Sequence, residues 1–217
     1  MRRLGATLVL STLAAGPLAA QQRDAGAIIT RAARAYAALS SFSAEFRQRI
    51  IDPVVGNEEA RGTLYQQGTN RFAMRFSDPK DEVILVDGTR AWVYLPSTMP
   101  KQVLRAPMPS GPVYGYNLIA FFLDRPTERY RVSYVREESV DGQRTDAVLL
   151  EPRDPTVPFR RATVWVDRGT GLPRRIQSEE KVGLTRIVDL TRLRPNAPIP
   201  AGTFTFTVPA GVRVVDQ

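Results

Sequence analysis

Apolar and polar residues alternate along most of this chain with a period of two, the mark of half-buried β-strands. In the stretch 42–51, Phe42, Ala44, Phe46 and Gln48 share one face. In 70–77, Phe72, Met74 and Phe76 point one way while Arg71 and Arg75 point the other. Further extended runs fall at 61–67, 82–86, 90–95 and 101–105. They are separated by turns at Gly68-Thr69, Asp78-Pro79, Asp87-Gly88 and 97–100. Asp87-Gly88 is a tight-turn signal, because glycine accepts positive φ at no steric cost. Trp92 and Tyr94 are two apart and leave the same side of the second hairpin strand, which predicts a large apolar inner face there. A second series follows at 130–136, 147–152, 161–167, 173–177 and 183–193, with a short strand at 203–208. Strands spaced this closely predict an antiparallel meander, since parallel pairing needs long crossovers.

Two segments break the pattern. Asp24 can cap a helix in which Ile28, Ala32, Tyr36 and Leu39 recur on one face and Arg31 and Arg34 on the other. Between 106 and 124, Pro107, Pro109, Gly111, Pro112 and Gly115 lead irregularly into the block NLIAFFLD, which is apolar nearly all round. Two readings fit that block: a buried core helix, or a lid that plugs a cavity when nothing else does.

Residues 1–20 read as a cleavable signal peptide: Arg2 and Arg3, then an apolar run, then a small-residue stretch ending at Ala20. The apolar run is shorter than the roughly 20 residues a membrane span needs. The expected mature chain, 21–217, suits a single domain. Cysteine and histidine are both absent. That removes disulfides, thiolate catalysis, a lipid-bearing cysteine, histidine general bases and ordinary zinc sites. Loss of Arg2 and Arg3 lowers the net charge from +8 to +6. No lysine run with interleaved aromatics suggests nucleic acid as a partner.

Catalytic constellations fare poorly. Ser178-Glu179-Glu180-Lys181 has the Ser-x-x-Lys spacing of serine acyl-transferases but lacks their helix start and companion motifs. Asp78, Asp81 and Glu82, or Glu137 and Glu138, offer carboxylates for glycoside hydrolysis, yet their loop and strand-edge positions suit solvated charge. Gly169-Thr170-Gly171 lacks the third glycine of a dinucleotide loop. No enzyme activity, cofactor or metal is expected.

The order of motifs carries a resemblance. Ser-Phe-Ser-Ala-Glu-Phe-Arg-Gln (Ser41–Gln48), Gly-Thr-Leu-Tyr (Gly62–Tyr65), Ile-Leu-Val-Asp-Gly-Thr-Arg-Ala-Trp-Val-Tyr (Ile84–Tyr94) and Phe-Thr-Phe-Thr-Val-Pro-Ala-Gly-Val (Phe204–Val212) follow one another. Across essentially the whole mature chain this resembles the periplasmic lipoprotein carriers of the LolA type. The resemblance implies a mainly β fold: a strongly curved antiparallel sheet forming an incomplete β-barrel, its apolar concave face covered by a few α-helices. It implies a soluble periplasmic carrier, monomeric, that binds lipoprotein acyl chains and moves them from the inner to the outer membrane. Its partners would be acylated lipoproteins, an inner-membrane ABC transporter that releases them, and an outer-membrane receptor. Where the family often has an Arg-Pro pair that helps hold the lid, this chain has Gly68-Thr69. The alternative on the same fold is a lipid or glycolipid carrier, or a lipoprotein-sensing regulatory module.

On this reading Phe72, Met74, Phe76, Trp92 and Tyr94 line the sheet side of an acyl cavity, and Ile28, Tyr36, Leu118, Phe121 and Phe122 its lid side. Arg71, Arg75, Lys101 and Arg105 are candidates for partner contact. An ordinary filled core would use the same apolar residues.

Overall fold

The computed structural model describes residues 23–217; the expected signal peptide lies outside them. Helix α1 (Ala25–Ala37) leads into β1 (Ser41–Asp52), β2 (Gly56–Gln67), β3 (Arg71–Asp78), β4 (Lys80–Val86), β5 (Arg90–Tyr94) and β6 (Gln102–Pro107). Two short helices, α2 (Leu118–Leu123) and α3 (Pro126–Arg129), come next. The chain then forms β7 (Tyr130–Val140), β8 (Gln143–Pro152), β9 (Phe159–Asp167), β10 (Pro173–Glu180), β11 (Thr185–Pro195) and β12 (Arg213–Asp216).

All twelve strands form one curved open sheet, in the order β12-β6-β5-β4-β3-β2-β1-β11-β10-β9-β8-β7. The sheet is antiparallel except where β12 runs parallel to β6. The antiparallel pairing of β1 with β11 joins the two meanders into one surface. At Gly62 a Cβ atom would come within 2.1 Å of the Arg75 carbonyl oxygen, beside a register shift between Arg61 and Gly62. Glycine there lets β2 and β3 approach where the sheet bends.

The helices lie on the concave face. Asp24 caps α1, its carboxylate accepting from the Ala27 amide at 3.0 Å. Ala25, Ile29, Ala32 and Tyr36 form the buried stripe, so Ile29 takes the central place that the sequence pattern assigned to Ile28, which is only half-buried. The main core gathers Phe42, Ala44 and Phe46 of β1, Leu64 of β2, Phe72 and Met74 of β3, and the inward residues of β8–β11.

The convex face of β3–β5 carries a second, smaller core, and here two expectations are corrected. Val86 pairs with Ala91, Leu85 with Trp92 and Val83 with Tyr94, while Phe72 and Met74 oppose Val86 and Ile84. Directly opposed residues share a face. Trp92 and Tyr94 therefore project with Val83 and Leu85, away from Phe72 and Met74. They meet Phe206, at ring-centroid distances of 5.6 and 5.7 Å. Alternation alone could not reveal this, because β4 and β5 carry apolar residues on both faces. The second correction concerns 203–208, which forms no strand. It crosses the convex face as a strap whose carbonyl oxygens are taken by the Arg75 guanidinium: Thr203 at 2.8 Å, Thr205 at 2.7 Å and Gly202 at 3.3 Å. Phe204 and Phe206 cover the Ala73, Val83 and Leu85 cluster.

Candidate functional site

Between the sheet and α2 lies a cavity of 540 Å³, within the size range of small-molecule sites. Its floor is Leu64, Phe72, Met74, Phe76, Ile84, Ile176 and Val188, and its roof is Leu118 and Ile119 of α2. The polar lining residues are Gln48, Glu58, Glu59, Ser97, Thr98, Arg186, Tyr116, Asn117 and the buried Glu82, whose carboxylate accepts from the Ser97 hydroxyl. The alternation of β2–β4 and β10–β11 makes this floor, since each strand sends every second side chain inward.

The roof is fastened at both ends. Asn117 caps α2, its side-chain oxygen accepting from the Ala120 amide at 3.0 Å. Its side-chain nitrogen donates to Gln66 Oε1 of β2 at 2.8 Å and to the Tyr36 hydroxyl of α1 at 3.3 Å. The Tyr36 hydroxyl donates to the same Gln66 oxygen. Burial pushes the Tyr36 phenol far above its ordinary pKa, so it stays a neutral donor. At the other end Arg129 donates to the Phe121 carbonyl at 2.9 Å and stacks over its ring, 4.5 Å from the centroid. Neither Asn117, Gln66 nor Arg129 was singled out from the sequence. Asn117 alone had a local signal, as a capping residue just before an apolar block.

Next to the cavity, and reaching its lining only through Arg186 and Gln48, lies a cluster of paired polar groups. The Tyr114 hydroxyl lies 2.9 Å from Ser178 Oγ and donates to Glu180 Oε1 at 2.9 Å. Arg186 donates to Glu180 at 3.3 Å and to Gln48 at 3.2 Å. Burial, reinforced by the Glu180 carboxylate, raises the Tyr114 pKa to about 12. Ser178 thus serves as a partner of Tyr114 inside β10, and Lys181 turns away to the Pro155 carbonyl; the two do not form a nucleophile–base pair. Among the described residues no group of His, Cys, Asp and Glu could hold a metal ion.

Of the ten acyl-site candidates, Phe72, Met74, Phe76 and Leu118 line the cavity. Tyr36 reaches the lid fastening instead, and Ile28 packs at the edge of the core. Phe121 and Phe122 belong to a closed aromatic cluster with Tyr114, Tyr130 and Phe159. Trp92 and Tyr94 lie behind the sheet. Among the partner-contact candidates, Arg75 is occupied by the strap and Arg105 by Asp216 of β12. Arg71 and Lys101 are exposed.

A curved open antiparallel sheet with helices over its concave face, and an apolar cavity beneath them, defines a container fold. The chain belongs to the outer membrane lipoprotein carrier protein LolA family, whose sequence model matches residues 37–207. It is 29% identical over 218 residues to an outer-membrane lipoprotein carrier protein of Chromohalobacter salexigens, covering 99% of this chain and 95% of that one. In structure it is similar to an uncharacterized conserved protein of Thermus thermophilus, with a TM-score of 0.56 and 11% identity over 89% of this chain and 99% of the other. A chain of the Pseudomonas aeruginosa MucA/MucB complex matches with a TM-score of 0.54 and 18% identity, over 89% of this chain and 64% of its own.

Proposed function

We propose that the protein is a periplasmic carrier that binds the acyl chains of lipoproteins in the 540 Å³ cavity and moves them from the inner to the outer membrane. The observation that carries this reading is the cavity itself: an apolar floor of β-strand side chains under a short helix. Each methylene transferred from water into such a space contributes about 0.8 kcal/mol, so acyl chains alone supply strong binding. The lid moderates it. Cargo must displace α2 from Gln66 and Tyr36, so part of the burial energy is spent on opening and release stays feasible. Lipoproteins, a transporter that delivers them and a receptor that accepts them follow as partners.

The test adds the purified protein to spheroplasts and assays the supernatant for released, still-acylated lipoproteins. Release in a soluble complex is the expected result. Ile84→Phe, which places a ring in the cavity, should fold normally and release far less. Equal release by that variant would remove the cavity from the mechanism, and no release by the wild-type protein would point to another lipid as cargo.

A further inference from the structure

We propose that the loops around the cavity mouth, tipped by Val54, Val55 and Val182 and bearing Lys80, Lys101 and Lys181, seat the protein on the surface of an anionic lipid bilayer. The first observation is exposure. Val54, Val55 and Val182 are 89%, 78% and 81% exposed, the most exposed large hydrophobic residues among those described. They sit at the tips of two hairpins, β1–β2 and β10–β11. Because Ile51 pairs with Thr185, both tips extend past the same end of the sheet. Asp52 fixes the first tip by accepting from the Val54 and Val55 amides at 2.8 and 3.1 Å. The valines are thus held at an apex instead of folding back.

The second observation is where lysine is used. The chain has 30 basic residues, and only Lys80, Lys101 and Lys181 are lysine. Each follows or forms a different turn: β3–β4, β5–β6 and β10–β11. Pairing of Arg61 with Asp78 and of Val83 with Tyr94 puts those turns at the same end as the valines. That is also the end at which Ile50, Glu58, Pro79 and Ser97 border the cavity. Every ion pair among the described residues uses arginine, and none uses lysine. Arginine's planar fork suits fixed pairing, whereas an ammonium is a hydrated point charge on a flexible stem. Exposed carboxylates are present too at the same end: Glu58 and Asp81, Glu59 and Asp78 in ion pairs with Arg47 and Arg61, and Asp154, which hydrogen bonds from Thr156 and, to a lesser degree, the charge of Lys181 hold below its ordinary pKa.

These features favour a bilayer over a protein groove. Protein interfaces concentrate affinity in aromatic and arginine anchors packed into pockets. Here the apolar groups are small, convex and split between two turns, which a headgroup layer accepts without a matching shape. Lysines beside them can lie along the apolar surface with their charge outward, and each near an anionic surface strengthens binding on the order of fivefold. Docking by this end would hold the cavity mouth at the membrane surface where lipoproteins are handed over, and in this it rests on the carrier reading.

The test is flotation of the cargo-free protein with vesicles of phosphatidylethanolamine alone or mixed with phosphatidylglycerol. Binding should need phosphatidylglycerol and weaken with salt. Val54→Ser/Val55→Ser/Val182→Ser should lose binding, and Lys80→Gln/Lys101→Gln/Lys181→Gln should weaken it on the order of 100-fold. Both variants touch only exposed positions outside the cavity lining, Lys181→Gln giving up one bond to the Pro155 carbonyl, and both should keep wild-type affinity for a fluorescent fatty acid. Absence of vesicle binding by the wild-type protein overturns the docking surface while leaving fatty-acid binding, and with it the carrier reading, intact. Vesicle binding without fatty-acid binding does the reverse. If the variants fail in spheroplast release although the wild-type protein ignores vesicles, the loops meet a protein, and the bilayer assignment falls.

Discussion

The two halves of the concave face are built from the same kinds of residue and end in opposite states. Over β7–β10, helices α1, α2 and α3 fill the space. Phe121, Phe122, Tyr114, Tyr130 and Phe159 touch one another there, the Phe122 and Phe159 rings at 5.1 Å. Over β2–β4 the floor is no less apolar, with Leu64, Phe72, Met74, Phe76 and Ile84, but it faces a cavity. The difference is reach. A six-residue helix such as α2 is only about 9 Å long, and it spends its aromatic residues on the filled half. Of α2 only Leu118 and Ile119 extend over the other, together with Gly115, Tyr116 and Asn117 before it. A container thus needs no special lining, only a cover too short for its floor.

The largest effect should separate the halves by stability. Phe122 is fully buried in a packed cluster, and Phe122→Ala should cost about 3–5 kcal/mol, because a new cavity adds to the lost transfer energy. Phe72 already borders empty space, so Phe72→Ala should cost closer to the transfer contribution alone, about 2 kcal/mol. Denaturant midpoints measure both. Equal costs would mean that the cavity half is packed as tightly as its neighbour. Fatty-acid affinity should change with Phe72→Ala and stay near wild type in any Phe122→Ala protein that remains folded.

Much of this architecture was legible in the sequence, and the part that was not has a physical cause. Alternation located eleven of the twelve strands; it missed β12 (Arg213–Asp216), put a strand at 203–208 where the strap runs, and missed the extension of β2 back to Gly56, where Asn57, Glu58 and Glu59 carry no apolar rhythm. It also placed Phe72, Met74 and Phe76 together. It could not assign Trp92 and Tyr94, because a strand with two covered faces has no solvent side to mark the other. Nor could it tell Phe121 from Leu118, since both belong to one apolar block and only the tertiary position of α2 decides which meets the cluster and which the cavity. The meeting of Tyr36, Gln66 and Asn117 depends on three distant segments coming together, which no local pattern encodes.

A middle-sized effect tests what holds the short cover in place. Asn117→Ala removes both the α2 cap and the tie to Gln66, and should cost about 1 kcal/mol for the cap. Gln66→Leu leaves the cap and removes only the shared acceptor of Tyr36 and Asn117. Both variants should take up a fluorescent fatty acid faster than the wild-type protein in stopped-flow traces. If Gln66→Leu matches wild type, the cap and Arg129 hold the lid, and the tie across the cavity edge does not control entry.

The smallest effect concerns the far side of the cavity floor. Behind β3–β5, Trp92 donates to Asp87 Oδ2 at 2.9 Å and packs against Phe206. Burial alone would raise the Asp87 carboxyl, but hydrogen bonds from Trp92, Thr89 and Arg90 outweigh it and hold the pKa below the ordinary carboxylate range. A lowered folded pKa means that this hairpin contact is fully stabilising above the unfolded value, about 3.9. The stabilisation is lost as pH falls below that value and through the folded pKa. In a Trp165→Phe background, which leaves Trp92 as the only tryptophan, its emission should shift over that acid range, and Asp87→Asn should flatten the transition. Because the sheet separates Trp92 from Phe72 and Met74, fatty-acid affinity should not follow this titration. If the two move together, the floor of the empty half is compliant, and its cavity is set by the strap behind it as much as by the short helix in front.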